Sequence, residues 1–302
     1  MDLEALPRRI VLSRKGSDSA WGGRPSLRVG DELISLPIPE SAARSGAGGL
    51  RYRDLPGHER VGALHDHLRG VGPERHVHLD PDLRPALRAH AAGAGASKRR
   101  ILMFGQEGAA ERHLRNQGVG AGDLFLFFGW FRQASLRAGL WRRFGPDEHC
   151  VWGWLQVEDS HAVTSAQAAR GLKWAAHHPH VARWEMFDGN NRVYRARERL
   201  SFAPQLAGAG VFRWHPALTL TQRCVEGATR REWCLPGFIR RTGLTYNQVD
   251  GPRCPASRGR VHFSSAAIGQ EFVLPAHRPF RKSERNAVAA WLGSLFGVAD
   301  GV

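Results

Sequence analysis

The sequence contains few cysteines, and their spacing is unsuited to zinc or redox chemistry. The four cysteines of the 302-residue chain are Cys150, Cys224, Cys234 and Cys254. No pair has the CxxC spacing that many structural zinc sites and thiol oxidoreductases use. Widely spaced, unpaired thiols fit a reducing compartment better than a disulfide framework. We therefore expect a cytoplasmic protein.

Long hydrophobic runs are also missing. The longest apolar run falls far short of the roughly 20 residues that a membrane-spanning helix needs. The segment MDLEALPRRIVLSRKG has charged residues on both sides of a short apolar patch and no cleavage signature. The sequence therefore predicts no signal peptide and no membrane partner.

Lysine is scarce although the chain is strongly basic. Lysine and arginine together number 43, and only Lys15, Lys98, Lys173 and Lys282 are lysines. The formal net charge is +15. Two explanations stay open: a nucleic-acid or nucleotide partner, which a basic protein attracts, and arginine-rich coding by a GC-rich genome. The arginines are spread along the chain, and in either case they attract phosphate.

Several common catalytic motifs are absent. The sequence has no GxSxG nucleophile elbow, no HExxH zinc motif, no GxGxxG dinucleotide motif and no Walker A motif. No serine or cysteine is marked as a nucleophile by its neighbours. Catalysis is therefore not visible from residue spacing alone.

Turn-forming residues divide the rest of the chain into short extended segments and a few helices. Helices are predicted at residues 58–70, 106–118, 165–176 and 283–297, the last with Ser283 as its N-cap. Aromatic-rich strands are predicted at residues 123–133 and 150–160, and a loop at residues 134–149 between them. Because strands outnumber helices without a regular β–α alternation, an α+β fold is favoured.

The two central strands carry a pattern that resembles EVE and related PUA-like domains. RNQGVGAGDLFLFF and VWGWLQV combine an Arg-Asn pair, a Gly-Asp turn, an aromatic strand and a second strand with an early glycine. The resemblance implies a PUA-like β-barrel core at roughly residues 101–215, with flanking helices and N- and C-terminal elaborations. Such barrels bind modified or flipped bases, and the base-binding residues here would be Arg115, Asn116, Phe128 and Trp154. A buried core hairpin is the alternative interpretation.

Longer segments, in order from about residue 9 to residue 275, resemble a narrower family. LSRKGSDSAWGGRPS, FGQEGAAERHLRNQGVGAGDLFLFFGWFR, WCLPGF and IGQEFVL are similar to the family called nucleotide modification associated domain 3. The resemblance implies a single domain over residues 1–302 and base-modification enzymes as partners, but no particular reaction. Asn247 stands where a histidine is expected and Ser17 where an aromatic residue is expected. If that histidine were catalytic or a ligand, this chain would be impaired.

Histidine and aspartate alternate in the segment HVHLDPDL. The segment offers His76, His78, Asp80 and Asp82 as ligands. In an extended segment, residues i and i+2 face the same side, so His78 and Asp80 are candidates to hold one divalent metal ion. A two-histidine, one-carboxylate site needs a distant histidine, and the candidates are His113, His177, His178 and His180, of which His113 and His180 are preferred. The alternative is turn chemistry, because Asp before Pro starts turns.

Two further segments carry candidate polar groups. SRKGSDS places Lys15 and Asp18 in a glycine-containing loop after a strand, where a lysine and backbone amides could hold a phosphate. A surface turn with a solvated ion pair is the alternative. Glu271, at the start of the strand-like segment EFVL, is a candidate general base, although a carboxylate at a strand start is more often exposed.

These patterns support two functions of different classes. The first is a nucleic-acid or nucleotide-binding module for a modified base, which the basic charge and the aromatic strands favour. The second is a metal-dependent enzyme that acts on a nucleotide or another small substrate through a histidine–aspartate site, which HVHLDPDL and the chain length favour.

Overall fold

The computed structural model describes most of the chain. The described residues are 2–40, 50–81, 83, 101–221, 229–248, 260–265 and 271–297, with only the backbone at 247–248 and 260–265. The described strands are β1 (Ile10–Arg14), β2 (Ser26–Val29), β3 (Glu32–Ile34), β4 (Ile38–Pro39), β5 (Val77–His78), β6 (Met103–Gln106), β7 (Leu124–Arg137), β8 (Leu140–Ala162), β9 (Arg192–Ala196), β10 (Ala209–Val211), β11 (Glu232–Pro236), β12 (Asn247–Gln248), β13 (Arg260–Ser265) and β14 (Glu271–Leu274). The described α-helices are α1 (Gly108–Asn116), α2 (Ala166–Gly171), α3 (Pro179–Ala182), α4 (Ile239–Thr242) and α5 (Arg285–Phe296).

One large mixed sheet organises the fold, and helices are few, so the predicted α+β class is confirmed. Its central path runs β14-β1-β7-β8-β9-β6, with β10 paired to β8, β2 paired to β7 and β3 paired to β2. β1 and β2 both lie parallel to β7, whereas the other pairs are antiparallel. Two smaller sheets, β11-β13-β12 and β4-β5, lie outside this sheet.

β7 and β8 form a long antiparallel hairpin at the centre of the sheet. Pairing runs from Leu124 opposite Gln156 to Arg137 opposite Leu140. Both turn residues have positive φ, 49° at Ala138 and 74° at Gly139, as a two-residue type I′ turn requires. The loop predicted at residues 134–149 is therefore wrong. An Ala-Gly dipeptide is a weak sequence signal for a hairpin turn. Near Gly145 the pairing register between the two strands shifts, but β8 continues through the shift.

Aromatic side chains of this hairpin alternate between two buried faces, as the strand predictions require. Phe125 and Phe127 lie on one face with their ring centroids 6.0 Å apart, and both rings pack on Phe104. Trp154, on the other face, packs on Phe212 at 4.5 Å. The part of the hairpin formed by residues 124–131 and 150–157 therefore belongs to the main hydrophobic core.

No closed barrel is found among the described strands, and the PUA-like core predicted at residues 101–215 is not confirmed. The sheet path is open, ending at β14 and β6. β1 and β2, from the N-terminal part, pair directly with β7, and β14 pairs with β1. Since these strands come from outside 101–215, that segment shares one sheet with both ends of the chain.

Three of the four predicted helices contain an α-helix, and the helix predicted at 58–70 is wrong. The prediction at 106–118 corresponds to α1, with Gly118 after it at φ 68°. The segment 58–70 contains only a 3₁₀ turn at Leu64–His67, and 165–176 only α2 and a 3₁₀ turn. The C-terminal helix begins at Arg285 with Glu284 as its N-cap, so the predicted N-cap Ser283 is wrong. None of the helices within the described ranges is long and apolar enough to cross a membrane.

A close approach between β1 and β7 fixes the end of β1. The Lys15 amide donates to the Phe128 carbonyl at 2.8 Å. A Cβ at Gly129 would lie only 2.6 Å from the Lys15 carbonyl oxygen, so only glycine fits there without displacing backbone. This packing holds the loop after β1 beside the ends of β4, β5 and β6.

Candidate functional site

A cavity lies where β1, β4, β5 and β6 end. Its volume is about 350 Å³, within the range of small-molecule sites. Its lining includes Arg14, Lys15, Gly16, Asp18, Trp21, Ile38, Pro39, Glu40, His78, Asp80, Gln106, Glu107 and His180. Polar and ionisable groups therefore converge here from segments far apart in sequence.

His78, Asp80 and His180 form a tight cluster in this cavity. One ligand atom from each lies within 4.8 Å of the others. Asp80 Oδ2 is 3.9 Å from His78 Nε2 and 4.0 Å from His180 Nε2. The cluster is compatible with metal binding, because two imidazoles and one carboxylate are a common donor set for divalent transition metals. The structure thus brings His180 to the pair His78 and Asp80.

His78 is oriented by a buried carboxylate. Its Nδ1 lies 3.3 Å from Glu40 Oε2, which also accepts a 2.6 Å hydrogen bond from Arg183. Burial raises the pKa of Glu40, but hydrogen bonds and charge from His78 and Arg183 outweigh it and lower the pKa to about 2. An ionised carboxylate only accepts hydrogen bonds. In the neutral form of His78, which is the form that binds metals, the proton therefore lies on Nδ1 and the Nε2 lone pair faces Asp80.

His180 is oriented in the same way by an amide. Its Nδ1 lies 2.6 Å from Asn191 Oδ1, while Asn191 Nδ2 donates to the carbonyls of Val163 and His180. This network fixes the amide orientation, so Nδ1 carries the proton and Nε2 is free. Burial lowers the pKa of His180 well below its ordinary value, although Asp80 opposes this shift. A neutral imidazole is the form that binds metals.

The two oxygens of Asp80 have different environments. Oδ1 accepts hydrogen bonds from the Gly105 amide at 2.7 Å and from His178 Nε2 at 3.2 Å. His178 Nδ1 in turn accepts from the His180 amide at 3.4 Å, which leaves the proton of His178 on Nε2. Burial raises the pKa of Asp80, but His178 and neighbouring positive charges lower it below its usual value. His178 is therefore a hydrogen-bond donor to Asp80, and Oδ2 remains available to a ligand.

A second polar group borders the same cavity. Lys15 Nζ lies 3.6 Å from Glu271 Oε1 and 4.6 Å from the centroid of the Phe104 ring. Glu271 Oε1 also accepts from Ser13 at 3.0 Å and from Gln106. Glu271 is only 1% exposed, so the expected exposure of this strand-start carboxylate is wrong. Burial raises its pKa to about 7, although Lys15, Ser13 and Gln106 oppose the shift.

Asp18 has a structural role in the loop after β1. Its carboxylate accepts hydrogen bonds from the amides of Ala20 and Trp21 at 2.8 and 2.7 Å. Ser17, which stands where the resemblance led us to expect an aromatic residue, donates to the carbonyls of Trp21 or Arg24 in the same loop. The two side chains hold Trp21 at the cavity edge with 44% of its surface exposed. Lys15 thus faces Glu271 rather than forming a solvated ion pair with Asp18.

The other predicted base-binding residues do not line this cavity. Phe128 is 1% exposed and packs on Trp233 in the core, so its ring cannot stack on a base without rearrangement. Trp154 donates its indole hydrogen to the Ala207 carbonyl and packs on Phe212. Arg115 bonds Asn190 at the surface, and Asn116 is exposed at the end of α1.

The remaining candidate ligands lie apart from the three-residue cluster. His113 contacts Thr245 at 3.0 Å through Nε2 and packs on Tyr246. His113 and His177 are therefore absent from the cluster formed by described residues. Asp82 and the side chain of Asn247 lie outside the described part.

Sequence reasoning missed several residues that shape the cavity. Glu40 lies in LPIPE and Asn191 in DGNNR, where nothing in the spacing connects them to a histidine. Trp21 is an isolated aromatic residue in a polar loop, and that contrast was its only signal. The contacts of Glu40 and Asn191 depend on long-range pairing, which single-sequence patterns do not reveal.

Comparison with known proteins gives a family. No curated protein and no solved structure matches the chain. The family model described as nucleotide modification associated domain 3 matches residues 9–275. This range covers most of the chain and contains every residue of the cavity. The chain belongs to the nucleotide modification associated domain 3 family.

Proposed function

We propose that the protein is a metal-dependent enzyme of nucleotide modification, with a divalent transition metal held by His78, Asp80 and His180. The observation that supports the proposal most is the convergence of two imidazole Nε2 atoms on one carboxylate oxygen. Each imidazole has its other nitrogen bonded to an acceptor. Such outer hydrogen bonds fix the tautomer of metal-binding histidines.

The donor set favours a catalytic over a structural metal. Structural zinc sites usually have four protein ligands, whereas catalytic sites have fewer and keep positions open. Three ligands facing a cavity fit the second group, and a two-histidine, one-carboxylate set suits iron(II) or zinc. A metal bound there would polarise a substrate oxygen or activate water.

The surroundings suit a substrate with an anionic or polar group. Lys15 and Gln106 border the same cavity as the cluster, and Glu271 contacts both side chains. The family name suggests a role associated with nucleotide modification, and nucleotides carry both polar base edges and phosphate. The base-binding module receives less support, because Phe128 and Trp154 belong to the core.

Metal analysis of the purified protein tests this proposal. We expect about one transition-metal ion per chain, either as purified or after separate addition of Mn²⁺, Fe²⁺, Co²⁺ or Zn²⁺. His180→Ala should lose the ion, with affinity reduced by more than the roughly 10–100-fold typical of outer-shell changes. His161→Ala is the matched control. His161 does not line the cavity, and its Nε2 lies 3.0 Å from Asp159 Oδ1.

The contrary results are equally definite. A wild-type protein that neither contains nor takes up a transition metal would refute the proposal. Equal loss of metal in the His180 and His161 variants would show that the ion is bound elsewhere or nonspecifically. Circular dichroism of both variants separates loss of a ligand from loss of the fold.

A further inference from the structure

Three arginines lie close together beside the candidate metal cavity. Arg14 ends β1, and Arg230 and Arg231 precede β11. All three line a small neighbouring cavity of about 40 Å³, which is larger than a single water needs. This second cavity shares Arg14, Lys15, Gly16 and Asp18 with the larger one. The two cavities therefore adjoin along the loop after β1.

The positive charge of this arginine cluster is only partly balanced. Among the described residues, Arg14 and Arg231 have no carboxylate within ion-pair distance. Arg230 lies over the Trp130 ring, with its Cζ 4.2 Å from the centroid. The charges of Asp18 and Asp147 act on Arg230. Both carboxylates also have other partners: Asp18 accepts hydrogen bonds from two loop amides, and Asp147 lies 3.8 Å from Arg132. Like charges held together at a concave surface favour an anion.

Nearby groups support the same conclusion. Burial, reinforced by the charges of Arg230, Arg14 and Arg231, lowers the pKa of His149 to about 3. His149 lines the small cavity and is therefore neutral there, so it adds no competing charge. Guanidinium groups bind phosphate oxygens through paired, charge-assisted hydrogen bonds.

Trp21 supplies an aromatic surface at the edge of the larger cavity. Its side chain is 44% exposed, and among the described residues its ring has no aromatic or cationic partner. The Asp18 carboxylate fixes the Trp21 backbone. Exposed aromatic rings beside basic grooves are typical stacking surfaces for nucleobases.

We propose that Arg14, Arg230 and Arg231 bind the phosphate of a nucleotide whose base lies in the larger cavity beside Trp21. This inference rests on the proposed function for its substrate class. It names the part of the substrate that the metal cluster does not contact. The shared chemistry is a nucleotide phosphate ester, from either a free nucleotide or a single strand.

Binding of nucleotides and nucleosides tests the inference. Calorimetry of the purified protein would use the four common 2′-deoxynucleoside 5′-monophosphates and the four matching nucleosides. We expect at least one nucleotide to bind about tenfold or more tightly than its nucleoside, as one additional charge-assisted contact provides. Single-stranded tetranucleotides of the same bases then identify the source. Tighter binding of the tetranucleotide indicates a polymer, and equal binding indicates a free nucleotide.

Variants separate the phosphate subsite from general charge. Arg230→Ala and Arg231→Ala should each remove most of the preference for nucleotide over nucleoside. Arg137→Ala is the matched control, because Arg137 is also an arginine over an aromatic ring, 5.6 Å from Phe144, but lies in the exposed arm of the hairpin. Trp21→Ala should weaken nucleoside and nucleotide equally.

Failure of this inference is distinguishable from failure of the proposed function. Asp80→Asn should lose the metal and keep the nucleotide preference, because it leaves the arginines intact. Equal affinity for nucleotide and nucleoside in the wild type would overturn the subsite even if metal is present. So would a preference that survives both arginine substitutions. If the wild-type protein binds no metal but still prefers nucleotide over nucleoside, only the proposal of a metal-dependent enzyme is refuted.

Discussion

The protonation of His78 and His180 is set by their protein neighbours. Glu40 accepts from Nδ1 of His78, and Asn191 accepts from Nδ1 of His180. In the neutral imidazoles, both Nε2 lone pairs are consequently free on the side of Asp80. A cluster that existed only to fill the interior would not require the same tautomer of both rings. This shared orientation is the strongest argument at the level of single residues.

Asn191 is expected to act as a positioning residue for the metal. Asn191→Ala removes the acceptor for His180 Nδ1 and should weaken metal binding by roughly 10–100-fold, as changes to outer-shell partners do. Asn190→Ala, a change at the adjacent surface residue, should leave the affinity unchanged. Asn191→Asp keeps an acceptor and should restore part of the loss. Equal metal affinities in the Asn191→Ala and Asn190→Ala proteins would contradict the assignment.

Glu271 is expected to make stability depend on pH. Burial raises its pKa to about 7 in the folded protein, above the value of about 4.3 for a free glutamate. Ionisation is thus harder in the folded state, so the contribution of Glu271 to stability is fully present below about pH 4.3 and is lost as pH rises to about 7. The change reaches about 4 kcal/mol at most.

Glu271→Gln tests this dependence directly. The substitution removes the titrating group and replaces Oε2, which has no hydrogen-bond partner among the described atoms. Urea unfolding between pH 4.5 and 7.5 should show a smaller fall in stability than in wild type. Glu158→Gln, at an exposed site in β8, should follow the wild-type curve. A Glu271→Gln curve parallel to that of the wild type would show that Glu271 does not titrate in this range.

Local sequence patterns identified part of the site. His78 and Asp80 could be predicted as ligands because the side chains of residues i and i+2 in an extended segment face the same side, which is a local property. The sequence could not single out His180 among the four candidate histidines, because the position of its ring depends on α3 and on the contact with Asn191. Burial of Glu271 depends on the pairing of Ser13 with Glu271 between β1 and β14. Such pairing has no local signal.

At the level of elements, the contact between β1 and β7 connects the sheet to the cavity. Gly129→Ala should push its new Cβ against the Lys15 carbonyl, which lies 2.6 Å away, and cost about 1–3 kcal/mol of unfolding free energy. Gly120→Ala, with no atom within 4 Å of the new Cβ, should change stability by less than about 0.5 kcal/mol. Urea denaturation measures both. Equal stabilities would mean that β1 can move away from β7 without cost.

The aromatic strands were predicted correctly as elements, and their side chains have the arrangement of the alternative interpretation, a buried core hairpin. Phe125, Phe127 and Phe128 are buried in the core, so the pattern that suggested base stacking serves packing. A sequence cannot distinguish these alternatives, because a stacking surface and a buried face use the same residue types. The open sheet differs from the predicted barrel for a related reason: neighbours of β7 come from the N-terminal strands.

At the level of the whole molecule, the sheet brings distant segments to one cavity. Lys15 follows β1, Glu40 follows β4, Asp80 follows β5, and His180 lies on α3. The family-matched region, residues 9–275, contains all of them. The net charge of +15 favours association with anionic molecules over neutral ones.

The position of the metal is the most direct test of the central proposal. Crystals of the purified, metal-loaded protein would be measured at the absorption edge of the bound metal. The proposal predicts one strong anomalous peak about 2.0–2.2 Å from His78 Nε2, His180 Nε2 and one oxygen of Asp80, the distances typical of such ligands. A peak bound by other residues, coordination through Nδ1 of either histidine, or no peak at this cluster would contradict it.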